Sequence, residues 1–303
     1  MFRINSFTAI AAAVTALLSV PTTTVAYDGG SYGGGSYGGD DCAGGTSTGY
    51  DSSRTLQVVG LTKQNQLVCF NEYRPGEART INFVSNLQGG DTALVGIDFR
   101  PANGLLYGVG NAGGVYQINT SNAIATLVNR LSVALDGSDS YGVDFNPVVD
   151  RLRIVSSKGQ NLRHNLAGTT LVDSALNYTP GITALGIAGS AYTNNDVDPN
   201  TATTLYVLDT SLDQIAIQSP PNAGTLAATG KLTLDAGLVA GFDIYSKVRN
   251  GSTVDVQSLA SIKLPDGSTG LYSIKLPTGK ASRRGSFANG LEVTDIAIPL
   301  NQL

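Results

Sequence analysis

Gly96-Ile97-Asp98-Phe99-Arg100-Pro101 returns 46 residues later as Gly142-Val143-Asp144-Phe145-Asn146-Pro147. It returns again as Gly241-Phe242-Asp243-Ile244 and, more loosely, as Val293-Thr294-Asp295-Ile296. Ala191-Tyr192-Thr193-Asn194 fills the remaining slot, with Thr193 where the others carry Asp. Successive copies stand 46, 49, 50 and 52 residues apart. A period near fifty is that of a four-stranded propeller blade with modest loops.

Each copy continues alike. A second apolar run follows, at 105–109, 152–155, 204–208 and 259–264, with 56–61 in the first copy. Tight turns come next, such as Asn111-Ala112-Gly113-Gly114 and Pro265-Asp266-Gly267-Ser268, whose Gly and Asp suit the positive φ of hairpins. A third run alternates with period two, at 67–71, 115–119, 162–165, 214–218 and 271–275. A fourth strand closes the unit, as at 80–84 and 124–128, and helical periodicity is absent. The first copy has no inner strand of its own, and the last inner strand, 292–300, has no blade. Joining the two predicts an all-β, five-bladed propeller of four-stranded antiparallel blades, its ring closed by the C-terminal strand.

Four blocks carry a family resemblance: 96–108 (GIDFRPANGLLYG), 144–163 (DFNPVVDRLRIVSSKGQNLR), 203–226 (TTLYVLDTSLDQIAIQSPPNAGTL) and 271–281 (LYSIKLPTGKA). In these the chain resembles domain-of-unknown-function family 4394 across essentially all of 56–300. The resemblance implies an exported, propeller-like protein and carries over no catalytic residue.

The chain has 303 residues, of which 42% are apolar and only 14% charged. Nineteen Lys+Arg against 23 Asp+Glu leave no basic excess for nucleic acid or an anionic membrane. One His, two Cys and no Trp exclude a His-rich or Cys-rich metal site by counting. Residues 1–26 have the form of a secretory signal: Arg3, an apolar stretch at 9–20, Pro21, and a cleavage site at Thr24-Val25-Ala26. No later stretch is long enough to span a membrane. Residues 27–55 form a flexible arm with ten Gly and four Tyr, and 56–303 form the propeller. The arm reads as a linker or as an adhesive segment for self-association. An oxidising exterior lets Cys42, in the arm, pair with Cys69, within a chain or between chains. Sequons at Asn119, Asn177 and Asn250 are glycan acceptors in a eukaryotic route.

The repeated Asp98, Asp144, Asp243 and Asp295 allow three readings. Each caps its own blade by accepting backbone N–H groups; together they bind a cation such as Ca²⁺; or two of them work as acid and base on a glycoside. Their equivalence favours the first, because catalysis needs different roles at different positions. Asp196-Val197-Asp198-Pro199-Asn200 imitates the start of a calcium loop but lacks its later Gly and Glu. His164 replaces Ile118, Ile217 and Ile274 of the other copies, a packing position. Arg151, Arg153, Gln160, Asn161 and Arg163 gather donors in the third blade, either for a carboxylate or sugar ligand or to brace Asp150 and nearby loops. The expectation is a secreted, non-enzymatic structural or binding protein without a required cofactor, self-assembling through its arm. The alternatives are a polysaccharide hydrolase using the channel carboxylates and a lectin-like glycan reader.

Overall fold

The computed structural model describes residues 55–194, 196–198, 200–250, 252–300 and 302. The expected signal, Cys42 and all of the arm but Thr55 lie outside them. Among the described residues there is no α-helix, and no helix is long and apolar enough to cross a membrane.

The first blade holds β1 (Gln57–Thr62), β2 (Gln66–Asn71) and β3 (Arg79–Phe83). The second is β4 (Leu94–Phe99), β5 (Leu106–Gly110), β6 (Gly114–Ile118) and β7 (Ala125–Arg130). The third is β8 (Tyr141–Asn146), β9 (Arg151–Ser156), β10 (Asn161–His164) and β11 (Thr170–Val172). A separate hairpin, β12 (Asn177–Thr179) and β13 (Ile182–Thr183), precedes the fourth blade. That blade is β14 (Ile187–Tyr192), β15 (Leu205–Asp209), β16 (Gln214–Gln218) and β17 (Leu226–Lys231). The fifth is β18 (Ala240–Arg249), β19 (Ser252–Lys263), β20 (Thr269–Ile274) and β21 (Ala281–Ser286). β22 (Val293–Ala297) then pairs antiparallel with β1 and completes the first blade as its innermost strand. The innermost strands β22, β4, β8, β14 and β18 pack side by side around a closed ring.

The core is divided the same way. Five apolar clusters each lie between two neighbouring blades, for example Leu61, Leu67, Ile97 and Phe99 between the first and second. Leu56, Phe70, Tyr245 and Ile296 fill the gap between the fifth and first. A blade buries both faces of its inner strands, so these strands read as continuous apolar runs.

The glycine of the repeated Gly-x-Asp is explained by approach between blades. A Cβ built on Gly142 would lie 2.4 Å from the Ser190 backbone nitrogen of the next blade. One on Gly96 would lie 2.5 Å from Val143 Cγ2, and one on Gly241 would lie 2.4 Å from Asp295 Cα. Each bare glycine lets the neighbouring inner strand close in.

The fifth blade departs from the expected lengths. Its first two strands run to 10 and 12 residues, because pairing continues from Ser246↔Val256 out to Arg249↔Ser252. Asn250 turns this hairpin at φ 51, the left-handed region that Asn tolerates. Its sequon therefore stands on an exposed tip.

Candidate functional site

The inner strands carry Asp98, Asp144, Asp243 and Asp295 to the axis, where each is 3–7% exposed. Three follow one hydrogen-bond rule. One oxygen accepts the N–H of the next residue: Phe99 for Asp98 at 2.7 Å, Ile244 for Asp243 at 2.5 Å and Ile296 for Asp295 at 2.9 Å. The other oxygen accepts an N–H from the following blade. Phe145 donates to Asp98 at 2.7 Å, Ile298 to Asp243 at 2.5 Å and Ile97 to Asp295 at 2.8 Å. Asp144 accepts across the boundary from Tyr192 on Oδ1 at 3.1 Å, and among the described residues no donor reaches its Oδ2. The carboxylates thus latch blade to blade as well as capping their own strands.

The latch changes where Thr193 stands. Its hydroxyl accepts the Thr204 N–H within its own blade. The fourth and fifth blades are joined instead by the Asn194 N–H donating to Ser246 Oγ at 2.8 Å.

Burial pushes the Asp98 carboxyl well above the usual carboxylate range, and the nearby Asp243 and Asp295 carboxylates push it further. Burial raises Asp144 in the same way, reinforced by Asp98 and Asp243. Asp243 is raised by burial to about 6, its two N–H donors holding it back. Burial also lifts Asp295 well above its ordinary value. Oxygens of Asp98, Asp144 and Asp243 lie within 4.8 Å of one another. They line a cavity of about 20 Å³ with Tyr192, Asn194, Ile298 and Leu300, and no Lys or Arg lines it.

The third-blade donors lie elsewhere, on internal acceptors. Arg153 is 2% exposed; its Nη1 donates to Asn161 Oδ1 at 2.7 Å and to Asp173 Oδ2 at 2.6 Å, and its Nη2 to Asn222 Oδ1 at 2.9 Å. Arg163 grips the same Asp173 through Nε and Nη2. Asn161 Nδ2 donates to the Ser174 and Pro221 carbonyls, and Gln160 Nε2 to the Ala134 carbonyl. Asp150 is gripped by Arg100 of the second blade instead. Of the five, Arg151 differs: its Nη1 is buried and meets no acceptor among the described residues.

His164 is fully buried, between Asn129 Oδ1 at 2.7 Å from Nε2 and Thr170 Oγ1 at 3.0 Å from Nδ1. The Thr170 hydroxyl oxygen already accepts the Ser132 N–H, so its proton can point at Nδ1 and the ring proton then sits on Nε2. In the calcium-loop mimic the Asp196 and Asp198 side chains accept the N–H groups two residues on. Cys69 is buried on β2. Asn119 and Asn250 are exposed, whereas Asn177 is partly covered and donates its amide to the Ala175 and Ala223 carbonyls.

Asn194 and Ser246 are the site residues that sequence reasoning missed. Their one signal was negative, the Thr in place of Asp at 193.

A ring of five blades latched by axial carboxylates defines a five-bladed β-propeller. The chain belongs to the family described as Domain of unknown function (DUF4394), whose model matches residues 66–297. No curated protein matches it. Among solved structures it is similar to a structural genomics protein of unknown function from Bacteroides thetaiotaomicron. That match has 10% identity, a TM-score of 0.45, and covers 76% of this chain and 56% of that one. It is also similar to the Kuenenia stuttgartiensis hydrazine synthase, at 8% identity and a TM-score of 0.40, over 66% of this chain and 51% of that one. An auxiliary nutrient binding protein from Bacteroides ovatus matches at 15% identity and a TM-score of 0.36, over 60% and 49%. The chain thus spans about half the length of these structures.

Proposed function

We propose that this protein is a secreted, non-enzymatic scaffold or binding propeller of the cell surface or extracellular matrix. The supporting observation is the axial cavity. At about 20 Å³ it takes one or two water-sized groups. Pockets that accept small organic ligands run to ~300 Å³ and above. A sugar ring has little room beside the channel carboxylates, and one oxygen of each already accepts a backbone N–H across a blade boundary. This disfavours the hydrolase alternative. The signal-like start and the Gly/Tyr-rich arm extend the reading to an exported protein that self-associates through residues 27–55. A Cys42–Cys69 bond, within or between chains, would secure the arm.

The test has two arms. A panel of glycosides and esters is expected to show no turnover; activity lost in Asp243→Asn, with folding intact, would establish the hydrolase. Light scattering and non-reducing gels would compare the mature chain with one starting at Leu56. Assemblies that vanish with the arm and collapse on reduction are expected. Identical monomers would limit the arm to a linker.

A further inference from the structure

Three buried carboxylates share the axial cavity with one feature they do not explain. Asn194 is 3% exposed and lines the same cavity. Its Oδ1 accepts the Asp196 N–H at 2.9 Å, which fixes the amide, and its buried Nδ2 then has no acceptor. A buried amide N–H left unmade carries the full desolvation penalty of that group. The donor calls for an oxygen inside the cavity, and the carboxylates call for positive charge. One occupant answers both: a divalent cation carrying a water.

We propose that Asp98, Asp144 and Asp243 hold a single hydrated Ca²⁺-sized ion on the propeller axis, with Asn194 Nδ2 donating to an ion-bound water. The geometry allows it. Two ligands on opposite sides of one Ca²⁺, at ~2.4 Å each, stand ~4.8 Å apart, and every pair among the three carboxylate oxygens falls within that span. Each carboxylate oxygen that accepts one N–H keeps a second lone pair, and Asp144 Oδ2 keeps both. No Lys or Arg lines the cavity to neutralise the three groups. Burial raises all three pKa values, as expected of a cage without its counter-charge. Such an ion would tie the second, third and fifth blades to one point. The inference stands apart from the scaffold reading, since an enzyme could carry the same structural ion.

The test uses the full chain treated with chelator and titrated with CaCl₂ alone by calorimetry. A parallel titration with Tb³⁺ follows emission excited through tyrosine, since the chain has no Trp. One ion per chain and a rise in melting temperature are expected. Asp144→Asn keeps the oxygen that accepts the Tyr192 N–H and removes the charge, so it should weaken binding at least about tenfold. Tyr192→Phe, whose phenol oxygen takes only a 3.4 Å contact from Arg153, covers the case in which Asp144→Asn fails to fold. It should reduce Tb³⁺ emission, because this is the tyrosine that lines the cavity. Asp198→Asn, in the calcium-loop mimic, should bind like the parent. Absence of heat and emission, full binding by Asp144→Asn, undiminished emission from Tyr192→Phe, or loss of binding in Asp198→Asn would each overturn the proposal.

Discussion

At the scale of single residues, the third blade holds two polar groups in dry surroundings, and each makes its own prediction. Asp173 is gripped by Arg153 and Arg163, and the Arg153–Asp173 side chains are 2% and 5% exposed. Removing one partner of such a pair leaves an uncompensated buried charge, which costs about 3–5 kcal/mol. Asp173→Asn should lower stability by that amount in urea unfolding, and a loss under about 1 kcal/mol would show the network to be dispensable. His164 carries no charge partner, and burial lowers its pKa to about 4. An unfolded imidazole titrates near 6.5. The folded pKa is depressed, so the contribution is fully present above 6.5 and is lost as pH falls toward 4. The His164 contribution alone therefore falls by up to about 3 kcal/mol across that window, while the axial carboxyls, raised by burial, change in the opposite sense and are common to parent and variant. His164→Gln, measured by thermal melts at pH 7 and pH 4.5, should not show this pH-dependent loss. The packing position of His164 was legible from the isoleucines it replaces. The Asp173 network was not, because Arg153, Asp173 and Asn222 meet only once the third blade stacks on the fourth.

At the scale of the element, the Gly-x-Asp signature turns out to be a device for joining inner strands. The repeat and its period were plain in the sequence, and they fixed the strand count. The partner of each carboxylate was not legible. A cap within one blade and a latch to the next need the same residue at the same position, and only the ring decides between them. The length of the β18–β19 hairpin was not legible from the repeat period, because a hairpin that runs on beyond the sheet adds residues without adding a blade. The glycine makes the sharper test. Gly142→Ala places a methyl group 2.4 Å from backbone at Ser190, and backbone cannot rotate aside as a side chain would. Overpacking of this kind costs about 1–3 kcal/mol, and more where strands must separate. Gly137→Ala adds no clash, since nothing lies within 4 Å of a Cβ there, but its φ of 67 still penalises a side chain. The contrast is therefore best made with Gly76→Ala, whose nearest neighbour is 3.2 Å away. Chemical denaturation should place Gly142→Ala clearly below Gly76→Ala, and equal stability would mean that the inner strands slide apart at little cost.

At the scale of the whole molecule, every blade is held by its neighbours, so the ring stands or falls at its seam. The five apolar clusters all straddle blade boundaries. β22 closes the last of them and links residues more than 230 apart in sequence through Thr294 Oγ1 and the Leu61 carbonyl. Gln302 adds a reciprocal clasp, accepting the Gln57 N–H at 2.7 Å and donating to the Gln57 carbonyl at 3.0 Å. Deleting residues 292–303 removes Val293, Ile296 and Ile298 from the core between the fifth and first blades. Burial of three such side chains contributes roughly 5–9 kcal/mol, against a total stability of about 5–15 kcal/mol for a typical domain. The deletion also removes the Asp295 latch to Ile97 and leaves β1 as an unpaired edge. An exposed apolar edge recruits other chains. The shortened protein should therefore unfold or aggregate at room temperature, seen as lost near-ultraviolet dichroism and a rise in light scattering. Adding the missing segment as a separate peptide should restore a monomeric ring, because the seam is formed by strand addition alone. A truncated protein that stays monomeric and melts with the parent would mean that four complete blades carry the fold without closure.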